Sequence, residues 1–380
     1  MTGPHYPSLY QINTRVWLRR LSGDADKQVT LADIDDVTID CFAERGFDWI
    51  WLLSVWQTGA AGRTVSRSNP QWRAEFTALL PDLRQEDICG SGFAITAYTV
   101  SDALGGERAL AQFRERLARR GIKLMLDFVP NHTAPDHPWV KAHPDYYVEG
   151  NEAALAGSSQ NYLRVDTDFG PKILAYGRDP NFPGWPDTLQ LNYANPELQA
   201  ARIDELLGIA GNCDGVRCDM AMLLLPEIFQ RTWGMAAEAF WPKATAAVHE
   251  KYPDFTFMAE VYWDLEWTLQ QQGFAYCYDK RLYDRLREGH VGPSATIYWP
   301  VSTTRTSSPA FSRTTTSRAL HPCFPGRSTR RRRSLPFCRR ACAFSMTANS
   351  TGRGSEYRPI CVEGRPSRQI RKLPPFIPGC

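Results

Sequence analysis

Ile122-Lys123-Leu124-Met125-Leu126-Asp127-Phe128-Val129 is the stretch on which the fold turns. Six of its eight residues are apolar, and Gly121 and Pro130 bound it, so it is too short for a helix and reads as a strand buried on both faces. Before it, residues 107–120 place Leu110, Phe113 and Leu117 on one helical face and end at Gly121, a good residue to follow a helix. The same alternation extends in both directions. Upstream, 31–46 is helix-like and 47–55 is a buried strand. Downstream, Asn195 as N-cap and Pro196 at the first turn open a helix through Ala210, closed by Gly211. A strand at 214–219, a long helical stretch at about 226–251, a strand at 255–261 and a helix at about 264–272 follow. Near-continuous apolar strands separated by helices imply an α/β fold with parallel strands covered on both faces, either a doubly wound sheet or a barrel.

Strands of this kind should be apolar throughout, yet three carry charge at their C-terminal ends: Asp127, then Arg217 with Asp219, then Glu260. Side chains alternate along a strand, so Arg217 and Asp219 share one face and Val216 and Cys218 take the other. In a barrel, Asp127, Asp219 and Glu260 would converge at one mouth, where barrel enzymes keep their chemistry. The competing interpretation is a buried ion-pair network around Arg217, but three coincident exceptions on three strands favour a site. A pair of carboxylates with an arginine and a histidine suits glycosidic bond cleavage, one carboxylate meeting the sugar carbon and the other protonating the leaving oxygen. Metal-assisted hydrolysis would want several histidines at strand ends, and His132 with His137 in one loop is a weak basis for it.

With 380 residues, 43% hydrophobic and 22% charged, the chain reads as a soluble globular protein, which excludes collagen, coiled coil and whole-chain disorder. No stretch approaches the roughly 18–20 apolar residues of a spanning helix, and residues 1–13 lack a charged segment followed by an apolar run. The expectation is a cytoplasmic protein without membrane partners. Ten cysteines without a C-x-x-C pair suggest reduced thiols instead of a zinc site or a disulfide framework. Residues 130–194, with Phe182-Pro183-Gly184-Trp185-Pro186, are too long for an ordinary connection and read as a small irregular subdomain.

The net charge of +3 hides a division: residues 293–380 hold 16 basic and two acidic residues, whereas 1–292 hold 28 basic and 39 acidic. The same 88 residues carry 11 of the 27 prolines and the run Arg330 to Arg333, a composition that opposes a packed core and predicts a disordered basic tail. A nucleic-acid-binding arm or a targeting signal is the competing interpretation, against which stands the lack of aromatic interleaving and of any recognised fold around Arg330 to Arg333, so no nucleic-acid partner is expected.

Asp127-Phe128-Val129-Pro130-Asn131-His132, Gly215-Val216-Arg217-Cys218-Asp219 and Phe257-Met258-Ala259-Glu260-Val261 resemble, in order, the first three signature regions of the α-amylase family of glycoside hydrolases. Tyr10-Gln11-Ile12-Asn13, Gly92-Phe93-Ala94-Ile95-Thr96-Ala97-Tyr98 and Gln190-Leu191-Asn192 add to the likeness, which covers about residues 8–292. The resemblance implies a (β/α)₈ TIM barrel: a first part at 1–130, a subdomain at 131–194 inserted after strand 3, and a continuation at 195–292 through strand 6, with strands 7 and 8 lacking. It implies a retaining glycosidase or transglycosylase acting on an α-glucoside or oligosaccharide. Asp219 would be the nucleophile and Glu260 the general acid/base, with Arg217 holding Asp219 ionised, His132 bonding the sugar and Asp127 bracing the site. Phe93 stands where the family usually has a tyrosine beneath the first sugar, and Tyr98 belongs to the same substrate-facing motif. Met222 and Leu223 replace the Lys and His that follow the nucleophile in many amylases, which weakens the case for a polymer subsite and for calcium. No cofactor is expected; Asn131 is the one calcium candidate, and its surrounding oxygen cluster is incomplete. Trp185, Tyr193, Trp263 and Trp267 form a group of candidate sugar-stacking aromatics.

The family's fourth signature, an Asn-His-Asp supplying a further carboxylate, does not occur in the 380 residues. Residues 312–319 fall about where it belongs, and a back-translation the genetic code permits, read one frame over, gives Glu-Asn-His-Asp-Glu-Pro-Arg. Residues 344–347 in the same shifted frame give Phe-His-Asp-Gly. Two matches after a composition break point to a one-nucleotide frameshift near residue 293. Two functions therefore follow from the sequence: an α-glucoside-active hydrolase or transglycosylase, or a catalytically inactive, truncated barrel fragment that is at most a weak sugar binder.

Overall fold

The computed structural model describes residues 7–25 and 27–287. The basic segment from 293 onward, with both frame-shifted matches, lies outside the described residues.

Six parallel strands form one sheet: β1 (Leu9–Asn13), β2 (Trp49–Leu53), β3 (Lys123–Phe128), β4 (Gly215–Cys218), β5 (Thr256–Ala259) and β6 (Tyr276–Cys277). Their spatial order is their sequence order. A doubly wound sheet reverses direction at a switch point, and this sheet has none, so its order is that of one arc of a barrel. Helices α1 (Asp36–Glu44), α2 (Gly106–Ala118), α3 (Pro196–Asn212) and α4 (Phe240–Lys251) make the first four crossovers.

Local chemistry sets these elements. The Asp35 carboxylate accepts from Thr38 N–H at 2.8 Å and starts α1, splitting the expected 31–46 helix into a short 3₁₀ turn at Leu31–Asp33 and α1 proper. Asn195 caps α3 through Glu197 and Leu198 N–H, as its sequence position predicts. Leu110, Phe113 and Leu117 of α2 are fully buried. The expected helix over 226–251 is two helices, Pro226–Trp233 and α4, because Gly234 takes a left-handed φ of +72° and ends the first.

The sheet's two faces bury different sets. Leu9, Trp49, Trp51, Leu53, Met125 and Met258 form one cluster. On the opposite face, Ile50, Leu52, Leu126, Phe128, Val216 and Phe257 join the main core. Lys123 is the one exposed residue of β3, at its entry, whereas Asp127 is buried at its exit.

The stretch after β3 holds more regular structure than its sequence suggests. Tyr162–Thr167 and Gly170–Ala175 pair as an antiparallel hairpin, and His132–Thr133 pairs with Leu189–Gln190. Its apolar residues Tyr147, Leu174, Leu191 and Tyr193 belong to the same core cluster as Leu126 and Phe128. Tyr193 donates to Pro130 O at 2.8 Å and Leu191 N–H to Asn131 O at 3.1 Å, which pins the stretch to the exit of β3. Ile95–Val100 pairs antiparallel with Trp56–Thr58, outside the six-stranded sheet.

Candidate active site

The sheet register assembles the charged residues row by row. Asp127 of β3 lies opposite Arg217 of β4, and Arg217 opposite Met258 of β5. Cys218 pairs with Ala259, so the next residues, Asp219 and Glu260, leave their strands side by side on the face that Arg217 shares. Arg217 then reaches both carboxylates: Nη1 donates to Asp219 Oδ1 at 2.6 Å and Nη2 to Glu260 Oε2. Asp127 Oδ1 lies 3.9 Å from the same Nη1. All four residues are buried.

Aromatic rings wall the guanidinium. Its carbon lies 5.3 Å from the Phe93 ring, 5.5 Å from Trp51 and 5.6 Å from Tyr278, and Nε donates to the Tyr278 hydroxyl at 3.2 Å. Cation–π contacts and a low dielectric strengthen each interaction and make a lone charge costly. Removing Arg217 would strand buried carboxylates, a loss of about 3–5 kcal/mol.

The strand exits are backbone-strained. Ser54 after β2 has φ 66° and Met220 after β4 has φ 44°, both left-handed without being glycine. Each turn delivers an amide to a carboxylate: Ser54 N–H to Asp127 Oδ2 at 3.3 Å and Met220 N–H to Glu260 Oε2 at 3.0 Å. Gly92 is required beside Ser54, since a Cβ there would sit 1.9 Å from Ser54 Oγ; this close approach sets Phe93 over Arg217. Trp51 Nε1 donates to Asp127 Oδ1 at 3.2 Å.

Burial and neighbouring charges shift three groups of the site. Burial raises the Glu260 pKa against the pull of Arg217, and the Asp219 charge adds to the rise. Burial pushes Asp127 up to about 7, again against Arg217. For Arg217, burial opposes the charge, but Glu260, Tyr278, Asp219 and Asp127 outweigh it and hold its pKa above the ordinary value.

The structure thus brings Asp127, Arg217, Asp219, Glu260 and Phe93 together. His132 is buried beside them against the Phe93 backbone and edge-on to Trp185 at 5.3 Å; burial lowers its pKa to about 3, so the ring is neutral. Tyr98 is not part of the cluster. Its hydroxyl donates to Val129 O at 3.1 Å and accepts from Val129 N–H at 2.9 Å and Arg202 Nη2 at 3.2 Å, and its ring packs on Phe128, on the other face of β3. Asn131 turns its side chain to Gln190: Nδ2 donates to Gln190 Oε1 at 3.1 Å and Oδ1 accepts from Nε2 at 3.0 Å. That oxygen is engaged by Gln190, and no group of three or more His, Cys, Asp or Glu that could hold a metal ion occurs among the described residues. Of the aromatic group, Tyr193 is wholly buried, Trp185 packs on His132, and Trp263 and Trp267 are exposed.

Two site residues carry no signal of their own in the sequence. Tyr262 donates its hydroxyl to Glu260 Oε1 at 2.7 Å, and Tyr278, just beyond β6, holds Arg217. Aromatics following strands resemble packing residues; only the parity of Tyr262 with Glu260, two residues apart, could have singled one of them out.

A parallel sheet in sequential order, with two carboxylates clamped on one arginine at its strand exits, defines an α/β protein with a buried acid pair. Residues 39–172 match the family model described as the α-amylase catalytic domain. Trehalose synthase/amylase TreS of Mycobacterium tuberculosis is 28% identical over 213 residues, which cover 50% of this chain and 34% of that protein. The α-glucosidase of Culex pipiens is 31% identical over 134 residues, 32% of this chain and 23% of that protein. Among solved structures, an α-amylase from Lactobacillus plantarum aligns with a TM-score of 0.48 at 22% identity, covering 77% of this chain and 57% of that one. The chain spans about a third of the length of the first of these relatives. No helix among the described residues is long and apolar enough to cross a membrane.

Proposed function

We propose that the site performs retaining chemistry on α-glucosidic bonds, by hydrolysis or glucosyl transfer, with Asp219 as nucleophile and Glu260 as acid/base. The observation that carries this reading is the Arg217 fork: one guanidinium holds both carboxylates, and a single fork spans the short separation of a retaining pair, about 5–5.5 Å, better than the wider gap that admits a water. The neighbouring strands of an (β/α)₈ barrel would complete the wall opposite this arc, with the stretch 131–194 as the subdomain over the mouth.

In the first step an Asp219 oxygen attacks the anomeric carbon as Glu260 gives its proton to the departing glycosidic oxygen. The C–O bond breaks, and a covalent glucosyl ester on Asp219 remains. Glu260, now ionised, takes a proton from water or from a sugar hydroxyl, whose oxygen displaces Asp219 and restores both groups. Arg217 donates to the Asp219 carboxylate, and the raised pKa of Glu260 favours the acid form it needs first. Phe93 and the neutral His132 offer an apolar face and a ring nitrogen to the sugar.

Glu260→Gln tests the assignment. Turnover of a substrate with a poor alkoxide leaving group should fall by on the order of 1000-fold, while a fluoride leaving group should be spared in the first step. Equal losses on both would remove Glu260 from the acid role.

A second reading is a sugar-binding site without turnover. It is favoured by one observation, the absence of an Asn-His-Asp carboxylate from the 380 residues.

A further inference from the structure

The peptide unit joining Phe128 to Val129, at the exit of β3, is hydrogen-bonded on both sides. Its carbonyl, Phe128 O, accepts from the Asp219 N–H at 2.8 Å. Its N–H, that of Val129, donates to the Tyr98 hydroxyl at 2.9 Å. The next carbonyl, Val129 O, accepts from Arg202 Nη2 at 2.6 Å and from the Tyr98 hydroxyl at 3.1 Å, and Arg202 Nη2 also reaches that hydroxyl at 3.2 Å. Arg202, Tyr98 and Val129 therefore close a ring of hydrogen bonds, and one peptide unit connects the ring to the backbone of Asp219.

Arg202 is an expensive residue for its place. It lies on α3, is 1% exposed, and its guanidinium carbon stands 4.7 Å from the Phe128 ring and 5.3 Å from the Tyr98 ring. It pairs with Glu205 one turn on, but its Nε is buried and has no hydrogen-bond partner among the described residues. The same face of α3 buries Leu198, Leu206 and Ile209, at helical spacing from position 202.

An apolar residue would continue that stripe, and replacing a buried ion pair by well-packed apolar side chains is often neutral or stabilising. Stability alone is thus a poor reason for a guanidinium here. What it supplies that leucine would not is a charged donor aimed at a backbone carbonyl, a hydrogen bond stronger than a neutral one. Arg217 already holds the Asp219 carboxylate from within the sheet. The Phe128 carbonyl holds the Asp219 backbone, and Arg202 stands behind that carbonyl on the helix side.

We propose that Arg202 is a positioning residue for Asp219: with Tyr98 it fixes the Phe128–Val129 peptide, whose carbonyl sets the Asp219 backbone at the exit of β4. The part played in turnover rests on the function proposed for Asp219 and Glu260; the clamp joining the two strand exits does not.

The test compares Arg202→Met with the unsubstituted 380-residue chain by hydrogen exchange, read on peptides by mass spectrometry. Exchange over 127–131 and 217–221, which hold the Val129 and Asp219 amides, should quicken about tenfold, the factor carried by one net hydrogen bond, while 9–13 and 49–53 of β1 and β2 keep their protection. Quickened exchange in all four segments would mark Arg202 as a merely structural residue and overturn the proposal, as would unchanged exchange in all four. Covalent labelling with 5-fluoro-α-glucosyl fluoride reads the consequence for chemistry. The labelling rate at saturating reagent should fall about tenfold or more, with the half-saturating concentration moved less than about twofold, because the substitution displaces the nucleophile and leaves the sugar's contacts in place. An unchanged rate beside the local exchange response would overturn the positioning role. If the unsubstituted chain gains no label while the two segments still respond, the catalytic reading fails and the clamp stands. Should Arg202→Met prove misfolded by circular dichroism, Tyr98→Phe, which removes the hydroxyl between Arg202 and the Val129 N–H, is held to the same outcomes.

Discussion

The hydroxyl of Tyr262 donates to Glu260 Oε1 at 2.7 Å, while Arg217 and the Met220 N–H occupy Oε2. Both oxygens of the proposed acid are therefore engaged before substrate arrives. A phenol is both donor and acceptor, so it can donate to the carboxylate and accept from the protonated acid by turning its O–H bond. Tyr262 is a positioning residue that stays bonded to Glu260 through both protonation states.

Tyr262→Phe should move the alkaline limb of kcat/KM. The tyrosine's hydrogen bond favours ionised Glu260, so its loss should raise the Glu260 pKa and shift the limb upward. A profile over pH 5–10 on an aryl α-glucoside checks this. An unmoved limb with a reduced rate would leave Tyr262 a packing role only.

Asp127 should make stability fall with rising pH. Burial raises its folded pKa to about 7 from an ordinary value near 3.8. Between those values the folded chain keeps a proton that the unfolded chain releases, so its contribution is most favourable below about pH 4 and declines until about pH 7, by on the order of a few kcal/mol. The stability of the unsubstituted chain minus that of Asp127→Asn, from denaturant unfolding at each pH, should decrease across this window and level off above it. A constant difference from pH 4 to 7 would show that Asp127 is ionised throughout.

The charged residues of the site were legible because they violate their surroundings. Asp127, Arg217, Asp219 and Glu260 stand at the ends of apolar strands, and period-two parity already placed Arg217 with Asp219 on one face. Tyr262 and Tyr278 violate nothing, since an aromatic after a strand is ordinary. The break between Pro226–Trp233 and α4 was hidden because helical periodicity continues on both sides of Gly234. Left-handed Trp263 carries no sequence signal, as tryptophan seldom adopts that backbone, and Asp264, of a type that visits it more often, carries only a weak one. Tyr98 lay in a motif that promised a sugar contact, but its strand pairs off the main sheet and Val129 and Arg202 take its hydroxyl.

Restoring the alternative reading frame near residue 293 should supply the missing carboxylate within Glu-Asn-His-Asp-Glu-Pro-Arg. If the tail is a frameshift product, the restored protein should exceed the 380-residue chain in kcat/KM on an aryl α-glucoside by on the order of 100-fold or more, the scale of losing one charge-stabilising group. Equal activity in the two proteins would refute the frameshift.

The nucleophile is the centre of the account, and trapping it is the most direct measurement. The 380-residue chain would be incubated with 5-fluoro-α-glucosyl fluoride, whose leaving group needs little acid assistance and whose ring fluorine slows breakdown of the ester, and then digested and read by mass spectrometry. The account predicts one fluoroglucosyl adduct, on the peptide containing Asp219 and absent from Asp219→Asn. An adduct on Glu260 or Asp127, or a folded protein that gains no adduct at all, would contradict it.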